Sequence, residues 1–152
     1  MSFAVVAAPA RAASEEDVRR LVDLFYGRVR RDPVLGPVFA RAIGTADADW
    51  ARHLARLADF WSSVMLRSGR YQGDPFSVHR QLPDLEPAMF DHWLALFSEA
   101  CVEVFEPDAA DAFRERAERI ARSLRMGLFE RLPARVAGTQ RSGGAPAQGS
   151  RA

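Results

Sequence analysis

The chain has 152 residues, 48% of them hydrophobic and 27% charged, which suits one soluble domain around a single core. No apolar run approaches the roughly 18 residues of a membrane-spanning helix, so no membrane partner is expected. The formal net charge of +1 conceals an asymmetry, because Arg131, Arg135, Arg141 and Arg151 follow the last acid, Glu130, and leave 17 arginines against 20 acids in the body through Glu130. Four scattered arginines among Gly, Ser, Ala, Pro and Gln make a weak electrostatic footprint, and they read as a flexible terminus with no nucleic-acid partner.

The first residues, M-S-F-A-V-V-A-A-P-A-R-A-A, mimic a signal peptide but have no positive charge ahead of a short apolar core. Residues 1–13 are therefore read as a frayed extension. Ser14 followed by Glu15, Glu16 and Asp17 marks an N-cap and an acidic first turn. The helix it opens runs to about Arg31, with Val18, Leu21, Val22, Phe25 and Val29 as its inward stripe and Tyr26 on the stripe's edge. The segment D-P-V-L-G-P-V-F, with two prolines and a glycine, then breaks the helix.

Asp47 and Asp49 are expected to cap a second long helix, Trp50 to Arg67, ended by Ser68-Gly69. His53, Leu54, Leu57, Phe60, Trp61, Val64 and Met65 form its inward face. Asp74 and Pro75 supply a cap and a first helical position for a helix of about seven residues, closed at Leu82-Pro83, with His79 near its end. A third long helix starts at Pro87 and reaches Phe105, and a fourth runs from Ala109 to Leu132. Nothing alternates with a period of two for long enough to form a strand. The expected fold is all-α, with four substantial helices and one very short one across residues 14–132, and a loose tail over 133–152.

The lone Cys101 excludes an internal disulfide, falls at core spacing between Phe97 and Val104, and suits a reducing cytoplasmic setting. Chemistry is better sought at the histidines, of which the chain has three. His53 and His79 sit among aromatic residues, 26 positions apart on different helices, and can face each other across a cavity. Neither has the i, i+4 partner of a helical zinc motif, and Glu-x-x-His repeats of a di-iron bundle are absent. One imidazole can therefore supply an axial bond to an iron cofactor while the other stands near its open face. Two satisfied core histidines in a non-haem helical regulatory or interaction domain, or a non-haem metalloenzyme, remain alternatives on these residues alone.

The motifs L-F-Y-G-R-V-R, D-P-V-L-G-P-V-F, A-I-G-T, W-A-R-H, D-F-W, H-R-Q-L-P and W-L-A-L-F occur in an order that resembles the group III truncated haemoglobins. The resemblance covers Glu15 to Leu132. It implies a truncated globin-like two-over-two helical sandwich around haem b. His79 matches the proximal iron ligand, its second ring nitrogen donating to a backbone carbonyl near the end of the short helix. Tyr26, His53 and Trp93 match the distal residues, His53 as a gate, while Phe39, Phe60, Trp61, Met65, Phe90 and Trp93 would line the cofactor. His92, adjacent to Trp93, should point elsewhere.

The same resemblance implies binding of O₂, NO and CO at a five-coordinate iron, with slow O₂ release where two donors face the ligand. NO detoxification or peroxidase-like chemistry would follow, with an external electron donor because the chain carries no flavin or nicotinamide fingerprint.

Overall fold

The computed structural model describes residues 12–82 and 84–129. All elements among them are helices: α1 (Glu15–Arg31), α2 (Leu35–Ile43), α3 (Asp47–Trp61) continued by a π-helical turn (Ser62–Leu66), α4 (Pro75–Arg80), α5 (Pro87–Val104) and α6 (Pro107–Phe129). The expectations for residues 1–11, for Leu132 as the end of the last helix and for the tail lie outside the described residues. Ala13, assigned to the frayed extension, packs against the core.

α1 begins as its sequence dictates. The Ser14 hydroxyl accepts from the Asp17 N–H at 3.1 Å and the Asp17 carboxylate accepts from the Ser14 N–H at 3.0 Å, a reciprocal capping box. Val18, Leu21, Phe25 and Val29 are fully buried, so the apolar stripe of α1 forms the centre of the molecule. α1 packs on α2, α3 and α5, and α5 packs on α6. The architecture is thus two helix pairs, α1 with α3 and α5 with α6, joined where α1 crosses α5. Trp61, Phe97 and Phe113 fill the space between the pairs, with Trp61 stacked 4.9 Å from Phe97. Cys101 is buried in the same cluster, and burial pushes its thiol up to about 12, a nearby Arg114 opposing the rise slightly.

Three local expectations need correction. The proline-rich segment after α1 is a break followed by a nine-residue helix, α2. The Asp32 carboxylate accepts from the N–H groups of Val34 and Leu35 at 3.0 and 2.9 Å, and Pro37 falls in the first turn, where its missing N–H is not needed. Gly36 lets α2 approach α1, since a Cβ there would stand 2.8 Å from the Arg30 carbonyl oxygen. Asp47 and Asp49 do not cap α3: Ala46 holds the N-cap position with no side-chain bond, and both acids lie in the first turn, where they favour the helix dipole.

The long second helix does not reach Arg67 as one α-helix. It changes to the π turn at Ser62 and stops at Arg67, which takes left-handed backbone (φ 60°). The extra residue of the π turn aims Ser62 inward, where it is fully buried. Its hydroxyl oxygen meets Glu15 Oε2 at 2.8 Å, Ser68 Oγ at 2.8 Å and an Arg70 guanidinium nitrogen at 2.9 Å. Arg70 also contacts Glu15 and Asp59, and the Tyr71 N–H donates to Ser63 Oγ at 2.8 Å. This network ties the loop leading to α4 onto the start of α1.

Candidate functional site

α4 is short and its sequence explains why it forms at all. Asp74 Oδ1 accepts from the N–H groups of Phe76 and Ser77, and Pro75 occupies the first helical position. His79, near its end, is half-buried. Its Nδ1 lies 2.7 Å from the Pro75 carbonyl oxygen, so Nδ1–H donates and Nε2 keeps its lone pair. The expected carbonyl partner is present, but it belongs to the start of the helix rather than its end, because a ring at position i reaches back one turn.

His53 extends from α3 toward a set of aromatic rings. Its centroid lies 5.9 Å from that of Tyr26 and 5.5 Å from that of Trp50, both edge-on. Phe39 from α2 completes the set, 5.8 Å from Tyr26 and stacked 6.3 Å from Trp50. His53 Nε2 is buried and has no hydrogen-bond partner. Burial depresses its pKa to about 4, with Arg56 and then His79 adding to the effect.

Tyr26 is 4% exposed, and burial holds its phenol far above the ordinary tyrosine value, an effect that the interaction with Trp93 partly opposes. The hydroxyl is therefore protonated across the working pH range, and an indole N–H can only donate. Trp93 stacks on Phe97 at 5.1 Å and meets Phe25 edge-on at 5.1 Å, which fixes its plane. Tyr26, His53 and Phe39 thus converge, and Phe25 packs edge-on against both Tyr26 and Trp93.

The other expected lining residues have different surroundings. Trp61 is buried between Phe97 and Phe113, and Phe60 meets Trp61 and Tyr71 edge-on. Met65, in the π turn, packs against the main core. Phe90 belongs to a second cluster with Ala121 and Leu124. His92 turns to Asp32, its Nε2 2.8 Å from both carboxylate oxygens. Burial alone would raise that carboxyl, yet the N–H groups of Leu35 and Val34 and the His92 ring hold it below the usual range.

Trp50 is the member of the aromatic set that the sequence marks as a helix start and as part of the W-A-R-H motif but not as a lining residue. Its place three residues before His53 on α3 was the available signal. Its Nε1–H donates to the Gly44 carbonyl at 2.9 Å and Arg30 lies over its ring at 4.7 Å. Gly44 has φ 109°, a conformation that side chains rarely adopt, so the carbonyl that receives Trp50 depends on a glycine. A separate groove of about 310 Å³ between α2 and the start of α5, crossed by the Arg41–Asp84 ion pair, includes neither histidine nor Tyr26.

Among the described residues no three His, Cys, Asp or Glu side chains are grouped to hold a metal ion between them, and no helix is long and apolar enough to cross a membrane. A single imidazole whose Nδ1 is committed to a backbone carbonyl, together with an unpartnered imidazole nitrogen and a protonated phenol, fits one-point attachment of a metal carried by its own cofactor. The donor set fits haem.

No family model matches the sequence. The chain is 35% identical over 117 residues to Group 3 truncated hemoglobin ctb of Campylobacter jejuni subsp. jejuni serotype O:2, covering 77% of this chain and 92% of that protein. The crystal structure of group III truncated hemoglobin from Campylobacter jejuni superposes with a TM-score of 0.76 at 33% identity, over 85% of this chain and 96% of that one. Similarity in sequence and in helical arrangement over most of the chain has one reading: the chain belongs to the group III truncated haemoglobins, a family of globins.

Proposed function

We propose that the protein holds haem b through His79 Nε2 and presents Tyr26, Trp93 and His53 to a diatomic gas, O₂, NO or CO. The observation that carries this reading is the complementary state of the two imidazoles. His79 has its Nδ1–H committed to the Pro75 carbonyl, which leaves Nε2 basic and fixes the ring's rotation. His53 has a buried Nε2 with no partner in the protein, a cost that a polar ligand or a water in the cavity would relieve.

Bound haem supplies a coordination position for the gas and reversible electron exchange. The protein contributes orientation and hydrogen bonding. Burial keeps the Tyr26 phenol protonated and therefore a donor, and Trp93, held flat on Phe97, directs its indole toward that phenol. Phe39 and Trp50 form an aromatic wall around Tyr26 and His53. A hydrogen bond to a strongly polarised acceptor contributes about 1.5–3 kcal/mol, so a distal donor slows O₂ release by roughly tenfold to a hundredfold.

Slow release suits redox turnover of small molecules better than transport. Conversion of NO and O₂ to nitrate, or reduction of peroxide, uses electrons that this chain has no flavin or nicotinamide fingerprint to collect, so an external donor is required. The test is titration of the purified protein with hemin. The wild type gives a Soret band and a normal ferrous–CO spectrum, His53→Ala keeps both, and His79→Ala loses the normal ligation. A colourless protein after hemin, or unchanged ligation in His79→Ala, refutes the reading.

A further inference from the structure

α4 carries His79, yet it has only six residues and its substantial packing is against α6 alone. That packing has a definite seat. The Phe76 ring lies on the bare backbone of Gly127, so close that a Cβ at Gly127 would stand 2.5 Å from Phe76 Cε1 and 3.3 Å from both neighbouring ring atoms. The Arg80 guanidinium also lies over this ring, 5.5 Å from its centroid. Phe76 is also the member that α4 contributes to the second apolar cluster, built on Phe90, Ala121 and Leu124. Phe76 and His79, three residues apart, share one side of α4. The 2.7 Å bond from His79 Nδ1 to Pro75 O then ties the imidazole to the residue next to Phe76.

We propose that Gly127 is a positioning residue for the proximal imidazole: its missing side chain seats Phe76 and so sets where α4 holds His79 Nε2. The proposal rests on the reading of His79 as the iron ligand. A glycine inside a long helix is otherwise unfavourable, and helix propensity alone makes Gly127→Ala stabilising. The contact with Phe76 reverses that sign, because the added methyl must displace a ring already packed into the second apolar cluster. Gly27 in α1 is the matched control, since a Cβ there would meet only an Arg31 guanidinium nitrogen at 4.0 Å.

The test combines amide hydrogen exchange of residues 76–80 in the haem-loaded protein with resonance Raman measurement of the ferrous iron–histidine stretching band. Gly127→Ala should speed exchange in α4 on the order of tenfold and shift the band. Gly27→Ala should do neither. Phe76→Leu removes the ring atoms that the new methyl would strike, so the double variant Phe76→Leu/Gly127→Ala should return the band toward its wild-type position. Should Gly127→Ala fail to fold, Phe76→Leu alone empties the seat, and it too should shift the band and loosen α4. An unmoved band in the folded single variants, or no recovery in the double variant, overturns the proposal. Absence of an iron–histidine band from the wild type would instead refute His79 as ligand.

Discussion

In the proposed reading Tyr26 and Trp93 act on a bound gas unequally, and their difference can be measured. Burial prevents Tyr26 from ionising, and the Trp93 side chain interacts with the phenol itself. The indole N–H can only donate, so in the proposed reading Trp93 donates toward the phenol oxygen and leaves the phenol's own proton for the gas. Tyr26→Phe removes the final donor and should speed O₂ release from the haem-loaded protein by about tenfold to a hundredfold, the range set by one hydrogen bond to a polarised acceptor. Trp93→Phe removes only the group that polarises the donor, and its effect should be severalfold smaller. The double variant should release O₂ at close to the rate of Tyr26→Phe, because the Trp93 contribution passes through Tyr26. CO, a weaker acceptor, should respond far less. Stopped-flow displacement of O₂ by CO gives all four rates. The wild-type rate should also be flat from roughly pH 6 to 9, since the phenol stays protonated well beyond that range. Equal and additive effects of the two substitutions, or a wild-type rate that climbs steeply with pH in that window, would refute the relay.

Three further outcomes follow from the geometry. His53 has a folded-state pKa of about 4 against 6.5 in an unfolded chain, so only the unfolded state gains its proton between those values; the apoprotein should lose stability from pH 6.5 down to about 4, and urea midpoints across that window should show a shallower slope in His53→Leu. Ser62→Ala leaves Glu15 and Arg70 without their shared buried hydroxyl and should cost about 1–3 kcal/mol in chemical denaturation, whereas an unchanged midpoint would mean that the network contributes nothing. Gly36→Ala forces a methyl against the Arg30 carbonyl, which cannot rotate aside, and should cost about 1–3 kcal/mol by the same assay.

The sequence made the long helices readable because their signals are local. Ser14 with the acids after it, the period of Leu21, Val22, Phe25 and Val29, and Pro87 at a helix start each act within one or two turns. The short helix of His79 was legible for the same reason, through Asp74 and Pro75. What stayed hidden depends on contacts distant in sequence or on backbone detail. α2 was concealed because prolines are ambiguous between a break and a first turn, and the choice is made here by the Asp32 carboxylate and by the approach to Arg30 that Gly36 permits. The π turn leaves no trace in apolar spacing, since its purpose is to aim one serine at Glu15, 47 residues away.

At the site, family resemblance singled out Tyr26, His53, His79 and Trp93, and the fold brings the first two together with Trp93 in contact with Tyr26. Residue type alone could not sort the aromatics. Trp61 and Trp50 look interchangeable on α3, but one faces Phe97 and Phe113 in the core and the other faces His53.

Cys101 gives the protein a built-in clock for its own opening. It is the chain's one cysteine, has no exposed surface and sits where α5 meets the α1 stripe. Its thiol, pushed up to about 12 by burial, is almost wholly un-ionised at neutral pH while the helices stay packed. An alkylating reagent therefore modifies it only during excursions that part α5 from α1, and the labelling rate reports how often the two helix pairs separate. Comparing that rate with and without hemin would express in time, rather than in colour, how far the cofactor holds the globin closed.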